Sequence, residues 1–167
     1  MSSYISEQVL NTNLTLYPHE LRKNIDDVIY QKLKKKVEGV CSEDGYVIKD
    51  SVEIMNRQVG RIQTKNNQSQ IQYPIHYRAK VISPNKGDVI EVFVNNINKM
   101  GVVGYIKIDG EGDSENSPMI IIIPREYFET SNYNIHDIHI HQKLSVTIID
   151  SRIKFNSDKI QAVGSPV

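Results

Sequence analysis

The chain has 167 residues, with 20 Lys and Arg against 20 Asp and Glu, so its formal net charge is zero. A domain that holds nucleic acid by phosphate neutralisation alone carries a clear basic surplus, and this composition lacks one. The single cysteine, Cys41, excludes an internal disulfide and suits a reducing intracellular compartment, while no apolar run approaches the length of a membrane span.

The N-terminus MSSYISEQ shows no basic segment leading into an apolar one, so no secretory signal and no membrane partner are expected. Leu14-Thr15-Leu16 alternates and stops at Pro18, which predicts a short strand running into a helix with Pro18 in its first turn. Leu21, Ile25, Val28, Ile29 and Leu33 then recur at spacings of three and four and define one apolar stripe. Lys32, Lys34, Lys35 and Lys36 fall in the last turns, where positive charge suits the helix dipole, and read as a solvated helix end. Glu38 to Cys41 and Gly45 to Ile48 predict two short strands around Ser42-Glu43-Asp44.

From Asn56 to Gln70 the chain is polar, with Gly60 inside it and no sustained periodicity. Lying between strands, it is expected to project as a loop or ribbon tip. Ile71, Tyr73, Ile75, Tyr77, Ala79 and Val81 occupy every second residue and share one face of a strand, in which Pro74 marks an edge or a bulge. Ser83 to Asp88 breaks the pattern, and Pro84 to Gly87 reads as the joint between two domains, residues 1–83 and 84–167. The charge divides there too: 12 basic and 9 acidic residues precede the break, 8 and 11 follow it.

Beyond the joint the chain is β-rich. Val89 to Val94, then Met100 to Ile106 entered through Gly101, is how a small coiled barrel begins. Met119–Ile123, Leu144–Ile148 and Ile160–Val163 supply further strands. Three candidate chemistries fail on inspection. Cys41 has no base nearby and reads as a small buried apolar residue. The acidic run Asp109–Glu115 misses the calcium-loop pattern, with Ser114 at the turn glycine and Ile120 at the closing glutamate. His136, His139 and His141 would need an extended backbone and a further ligand to hold zinc. No phosphate-binding loop, nucleophile elbow or HExxH motif occurs. No catalytic residue, metal or cofactor is expected.

Taken in order, Leu14-Thr15-Leu16-Tyr17-Pro18, Val37-Glu38-Gly39-Val40-Cys41 with Gly45-Tyr46, Gly60-Arg61-Ile62, Tyr77-Arg78-Ala79-Lys80-Val81, Pro84, Gly87-Asp88-Val89, Met100-Gly101 and Ala162-Val163-Gly164-Ser165 carry a resemblance over nearly the whole chain. It resembles the larger of the two stalk subunits of multisubunit DNA-dependent RNA polymerases, in its archaeal form and its eukaryotic polymerase II form. The resemblance implies an α+β tip domain, a ribonucleoprotein-like sheet with one helix, over residues 1–83, followed by an all-β OB-fold barrel over residues 84–167. It implies a non-catalytic subunit whose tip, around Val59, Gly60, Arg61 and Ile62, docks at the clamp base, against the largest subunit and a small clamp-base subunit. A smaller stalk partner would pack against it, and the barrel would stand near the emerging transcript. It fits a nuclear location for a cellular eukaryotic source, and a virion or cytoplasmic factory for a large DNA virus.

Where relatives often place aromatics after the barrel's Gly, this chain has Val102 and Val103. Stacking on aromatic faces contributes about 1–3 kcal/mol per base, so only weak contact with nascent RNA is expected. Lys99, Tyr105, Lys107 and Arg125 are the candidate RNA contacts. Two other readings are a free OB-fold RNA-binding module, such as a translation factor, and a zinc hydrolase built on the histidines. The first of these predicts useful RNA affinity in isolation; the second predicts stoichiometric metal.

Overall fold

The computed structural model describes residues 4–21 and 24–167. The chain divides into two compact units, one formed by Glu7–Gly39 with Val47–Val81, the other by Met1–Ser6, Val40–Tyr46 and Ile82–Val167.

In the first unit one helix, α1 (Ile25–Val37), packs on a sheet whose long central strand is β6 (Gln68–Ile82). Strand β1 (Ile5–Leu16) pairs with β6, and β4 (Glu53–Arg57) and β5 (Arg61–Lys65) also pair with it, one after the other. Ile29, Leu33 and Val37 are the buried stripe of α1. They meet Leu10, Leu14 and Leu16 of β1 and the every-second-residue series Tyr73, Ile75, Tyr77, Ala79 and Val81 of β6. Each such aliphatic side chain removed from water contributes about 1.5–3 kcal/mol, so the two periodicities together define this core.

Three sequence expectations are corrected here. Pro18 opens a separate 3-10 turn (Pro18–Glu20), and Leu21 is exposed outside the helix, which starts only at Ile25. A proline and a Tyr17 N–H held by the Glu20 carboxylate (3.1 Å) close that turn on itself. Strand β1 is much longer than Leu14–Leu16, because its polar first half is half-exposed and shows no strong alternation. Pro74 does not mark β6 as an edge strand, since β6 lies between β1 and β3 (Gly45–Val47). It falls between the β5 register, which ends at Arg61↔Gln72, and the β4 register, which begins at Arg57↔Ile75. The missing N–H therefore sits where the neighbouring edge is itself interrupted.

Of the lysine run, three members are fastened rather than merely solvated, Lys34 through an ion pair with Asp50 (3.1 Å). Lys32 Nζ donates to the Thr15 carbonyl (2.6 Å) and to Glu20 (2.8 Å), and Lys36 Nζ donates to the Asn13 carbonyl (2.6 Å).

The second unit holds a closed five-stranded barrel, β7 (Val89–Asn98), β8 (Gly101–Tyr105), β9 (Met119–Pro124), β10 (Lys143–Arg152) and β11 (Ile160–Pro166). Its order round the barrel is β10-β11-β9-β8-β7, with β9 and β11 parallel and β7 closing on β10. This is an OB-like arrangement. Inward positions are Ile90, Val92, Val94, Val102, Ile121, Ile123, Leu144, Val146 and Ile148, all buried. Bulges between Val94 and Asn96 and between Ile148 and Asp150 supply the curvature that closure needs. Gly101 admits the tightest approach: a Cβ there would lie 2.1 Å from the Ile123 carbonyl oxygen, and its φ is +144°.

A hairpin of β2 (Cys41–Ser42) and β3 (Gly45–Val47) belongs to this unit through Tyr46. The Cys41 N–H donates to Ser157 (2.7 Å) and its carbonyl accepts from Asn156 (2.9 Å). Burial, with the Asp158 carboxylate nearby, pushes the Cys41 thiol up from its ordinary range.

Candidate docking site at the hairpin tip

The polar stretch Asn56–Gln70 is mostly strand. After β4 ends at Arg57, Gln58-Val59-Gly60 turns the chain into β5, which pairs with β6 from Arg61↔Gln72 to Lys65↔Gln68. Asn66 and Asn67 close the ribbon at φ 55° and 63°, the left-handed pair of a tight two-residue hairpin turn. That Asn-Asn pair was the sequence signal for a hairpin here, and periodicity alone passed over it.

Three interactions fix the base of the ribbon. The Gln58 N–H donates to the Pro74 carbonyl (3.1 Å). Arg57 Nε donates to Asp26 at the start of α1 (3.0 Å), and its guanidinium lies 5.4 Å from the centre of the Tyr73 ring. Gly60 crosses so close to β6 that a Cβ would stand 2.6 Å from Ile71 Cγ2 and 2.6 Å from Tyr73 Cε1. Glycine is thus the residue that lets the turn lie flat on those two side chains.

On this base the expected docking residues are brought together. Val59 is 88 % exposed and Ile62 78 % exposed, either side of Gly60 and Arg61. No side chain of β5 is buried. Pairing puts Arg61, Gln63 and Lys65 on one face of the ribbon with Gln68, Gln70 and Gln72, and puts Ile62 and Thr64 on the other with Ser69 and Ile71. The site has no acid, base or nucleophile constellation; what it offers is apolar area on a pinned backbone. Of the residues that hold it, the sequence places Ile71 and Tyr73 only on one face of a strand and does not single out Arg57.

The four barrel residues separate into two places. Lys99 lies exposed in the β7–β8 turn beside the exposed Met100, whose carbonyl accepts from the Arg125 N–H (3.0 Å), so Lys99 and Arg125 share one end of the barrel. Tyr105 lies at the other end of β8 and is 4 % exposed. Its hydroxyl is 3.5 Å from His141 Nδ1, and its ring meets Phe93 at 5.9 Å. Lys107 Nζ sits 4.5 Å from the Phe93 ring centre. A cation over one ring and a hydroxyl against a histidine leave little aromatic face open for a base to stack on.

The histidines do not form the extended array that zinc would need: Ile135–Asp137 is a 3-10 turn and His141 has φ 70°. Among the described residues no group of three His, Cys, Asp or Glu is placed to hold a metal ion, and no helix is long and apolar enough to cross a membrane.

No protein-family model matches the chain. It is 34% identical over 94 residues to DNA-directed RNA polymerase II subunit RPB7 of Glycine max, covering 56% of this chain and 52% of that one. It is 30% identical over 102 residues to the rpb7 subunit of Schizosaccharomyces pombe, covering 58% and 56%. A protein of Acanthamoeba polyphaga mimivirus, provisionally named DNA-directed RNA polymerase subunit L376, is 27% identical over 165 residues, 92% of this chain and 77% of the viral one. The chain thus matches about half the length of its plant and yeast relatives and most of the viral one.

Proposed function

From this similarity to RPB7-type polymerase subunits, we propose that the chain is a non-catalytic stalk subunit of a DNA-dependent RNA polymerase. It docks on the polymerase core at the clamp base through Val59, Gly60, Arg61 and Ile62. Residues 1–83 act as the docking domain, of ribonucleoprotein-like build, and residues 84–167 as the barrel domain near the transcript exit. Its partners are the largest subunit, a small clamp-base subunit and a smaller stalk subunit. It works inside the cell, in the nucleus or, for a viral source, in the virion or cytoplasmic factory.

The observation that carries this reading is the ribbon: two aliphatic side chains left almost wholly in water on a backbone held rigid at its base. Burying both in a partner's pocket is worth about 3–6 kcal/mol, enough to decide whether a small subunit stays attached. Contact of the barrel with RNA is weak in this reading, through Lys99 and Arg125 at one end and Lys107 at the other.

The test is Val59→Asp combined with Ile62→Asp. Both positions are exposed, so the melting curve of the free protein should be unchanged, while co-purification with the polymerase core should be lost. Full co-purification of a folded double variant overturns the docking assignment.

A further inference from the structure

The ribbon leaves a second resource unused besides its two apolar side chains. Among the described residues β5 pairs only with β6, so its outer edge carries main-chain groups with no ladder partner. Which groups these are follows from the turn. In a two-residue hairpin with both central residues left-handed, the flanking pair, here Lys65↔Gln68, exchanges both of its hydrogen bonds. Alternation then assigns the inward bonds to Lys65, Gln63 and Arg61, and turns the N–H and C=O of Ile62 and Thr64 outward. An exposed edge of this kind is a template for another strand, and proteins normally blunt it with proline, a bulge, cover or charged side chains. Of these β5 has only the last, Arg61 and Lys65, which repel a basic strand but not an acidic one. Within β5 there is no proline, the β5–β6 register runs without a shift, and all five residues are exposed.

Charge says what kind of strand fits. From Ile54 to Gly87 the chain contains no Asp or Glu, but holds Arg57, Arg61, Lys65, Arg78, Lys80 and Lys86. Arg57 is engaged with Asp26, and Arg78 with Glu7 and Glu53. Among the described residues Arg61 and Lys65 have no ion-pair partner, and both stand on β5 itself.

We propose that β5 receives an extended acidic segment of the polymerase core, which adds as a strand along this edge. This rests on the docking reading above and specifies its mode. An added strand presents its side chains alternately to the two faces of the ribbon. Those beside Arg61 and Lys65 carry carboxylates; those beside Ile62 are apolar. The incoming segment therefore alternates acidic and apolar residues, and its main chain bonds to Ile62 and Thr64.

Thr64→Pro tests this directly, because it deletes an outward N–H while leaving every β5–β6 bond in place. Thr64→Val keeps the N–H and the β-branched shape as control. In a titration of tagged protein against isolated polymerase core lacking this subunit, Thr64→Pro should bind at least tenfold more weakly and Thr64→Val within about twofold of wild type. Arg61→Glu with Lys65→Glu should weaken binding at least tenfold at low salt and less at high salt. If Thr64→Pro binds as wild type while the Val59 and Ile62 aspartates abolish binding, strand addition is wrong and docking stands. If neither change weakens binding, both are wrong. Unchanged binding by the double glutamate variant removes the acidic occupant. Should Thr64→Pro fail to fold, amide exchange of the wild type decides: slowing at Ile62 and Thr64 on assembly supports the proposal, and unchanged exchange there overturns it.

Discussion

Gly60→Ala is the smallest change that tests how the tip is held. The added methyl would stand 2.6 Å from Ile71 Cγ2, 2.6 Å from Tyr73 Cε1 and 2.9 Å from Tyr73 Cζ, all inside contact distance. No rearrangement of the methyl relieves this, since a Cβ has no torsion of its own; either the ring and the isoleucine move or the turn lifts. Tyr73 cannot move cheaply, being 7 % exposed in the core with Arg57 over its ring. Overpacking of this kind costs about 1–3 kcal/mol. For a cooperative unit of this size that is a fall in Tm of roughly 4–8 °C per kcal/mol. Thermal melts of the free protein measure it, and Ile71→Ala supplies the cycle: deleting Cγ2 should recover part of the loss, so the double variant is less destabilised than the sum of the singles. A Gly60→Ala protein that melts with wild type, or a strictly additive pair, would refute the claim that the turn is pinned on these side chains.

Two further outcomes follow from the second unit. Gly101→Ala, whose methyl would meet the Ile123 carbonyl oxygen at 2.1 Å at a φ of +144°, should destabilise the barrel by more than about 3 kcal/mol or prevent its folding, read as loss of the cooperative melt. Cys41 has a folded-state pKa raised by burial, so its contribution to stability is complete below the ordinary thiol range and is lost as pH rises from there through the raised folded value. Alkylation by iodoacetamide near pH 8.5 should accordingly be at least about tenfold slower in the native protein than in urea, and equal rates would contradict the burial.

What the sequence made legible was what periodicity governs. The stripe Ile25, Val28, Ile29, Leu33 and the alternation Tyr73 to Val81 are long, regular patterns. Ile29, Leu33 and the alternating series are buried, with Ile25 and Val28 packed half-buried against them. The barrel strands followed for the same reason, each inward face being aliphatic. Where side chains do not report burial, the reading failed. Strand β1 is half polar, so most of its length was silent. Leu21 matched the helical spacing but has Pro18 and the Glu20 carboxylate closing a turn before it, a local interaction that a spacing count cannot see. Tyr105 lies on an outward-facing strand position yet is covered, because Phe93 and His141 come to it from 12 residues before and 36 after in sequence. The tip residues were found by resemblance, and the polarity around them gave only projection. The contacts that hold them, from Asp26, Ile71 and Tyr73, come from other strands and the helix.

The two ammonium groups that Lys32 and Lys36 set on the carbonyls of Thr15 and Asn13 bear on how the protein behaves at high concentration. Strand β1 terminates its sheet, and those carbonyls belong to alternate residues, so they point the same way. Capped by these side chains, that part of the rim templates a neighbouring copy poorly, because an approaching strand would have to displace both lysines, Lys32 from its Glu20 ion pair as well. The opposite rim, at β5, has no lysine-capped carbonyls but carries Arg61 and Lys65, whose like charges oppose pairing with a second copy. Fibrils or sheets formed by the free subunit should therefore spare β1, and should grow from the ribbon only where salt screens Arg61 and Lys65.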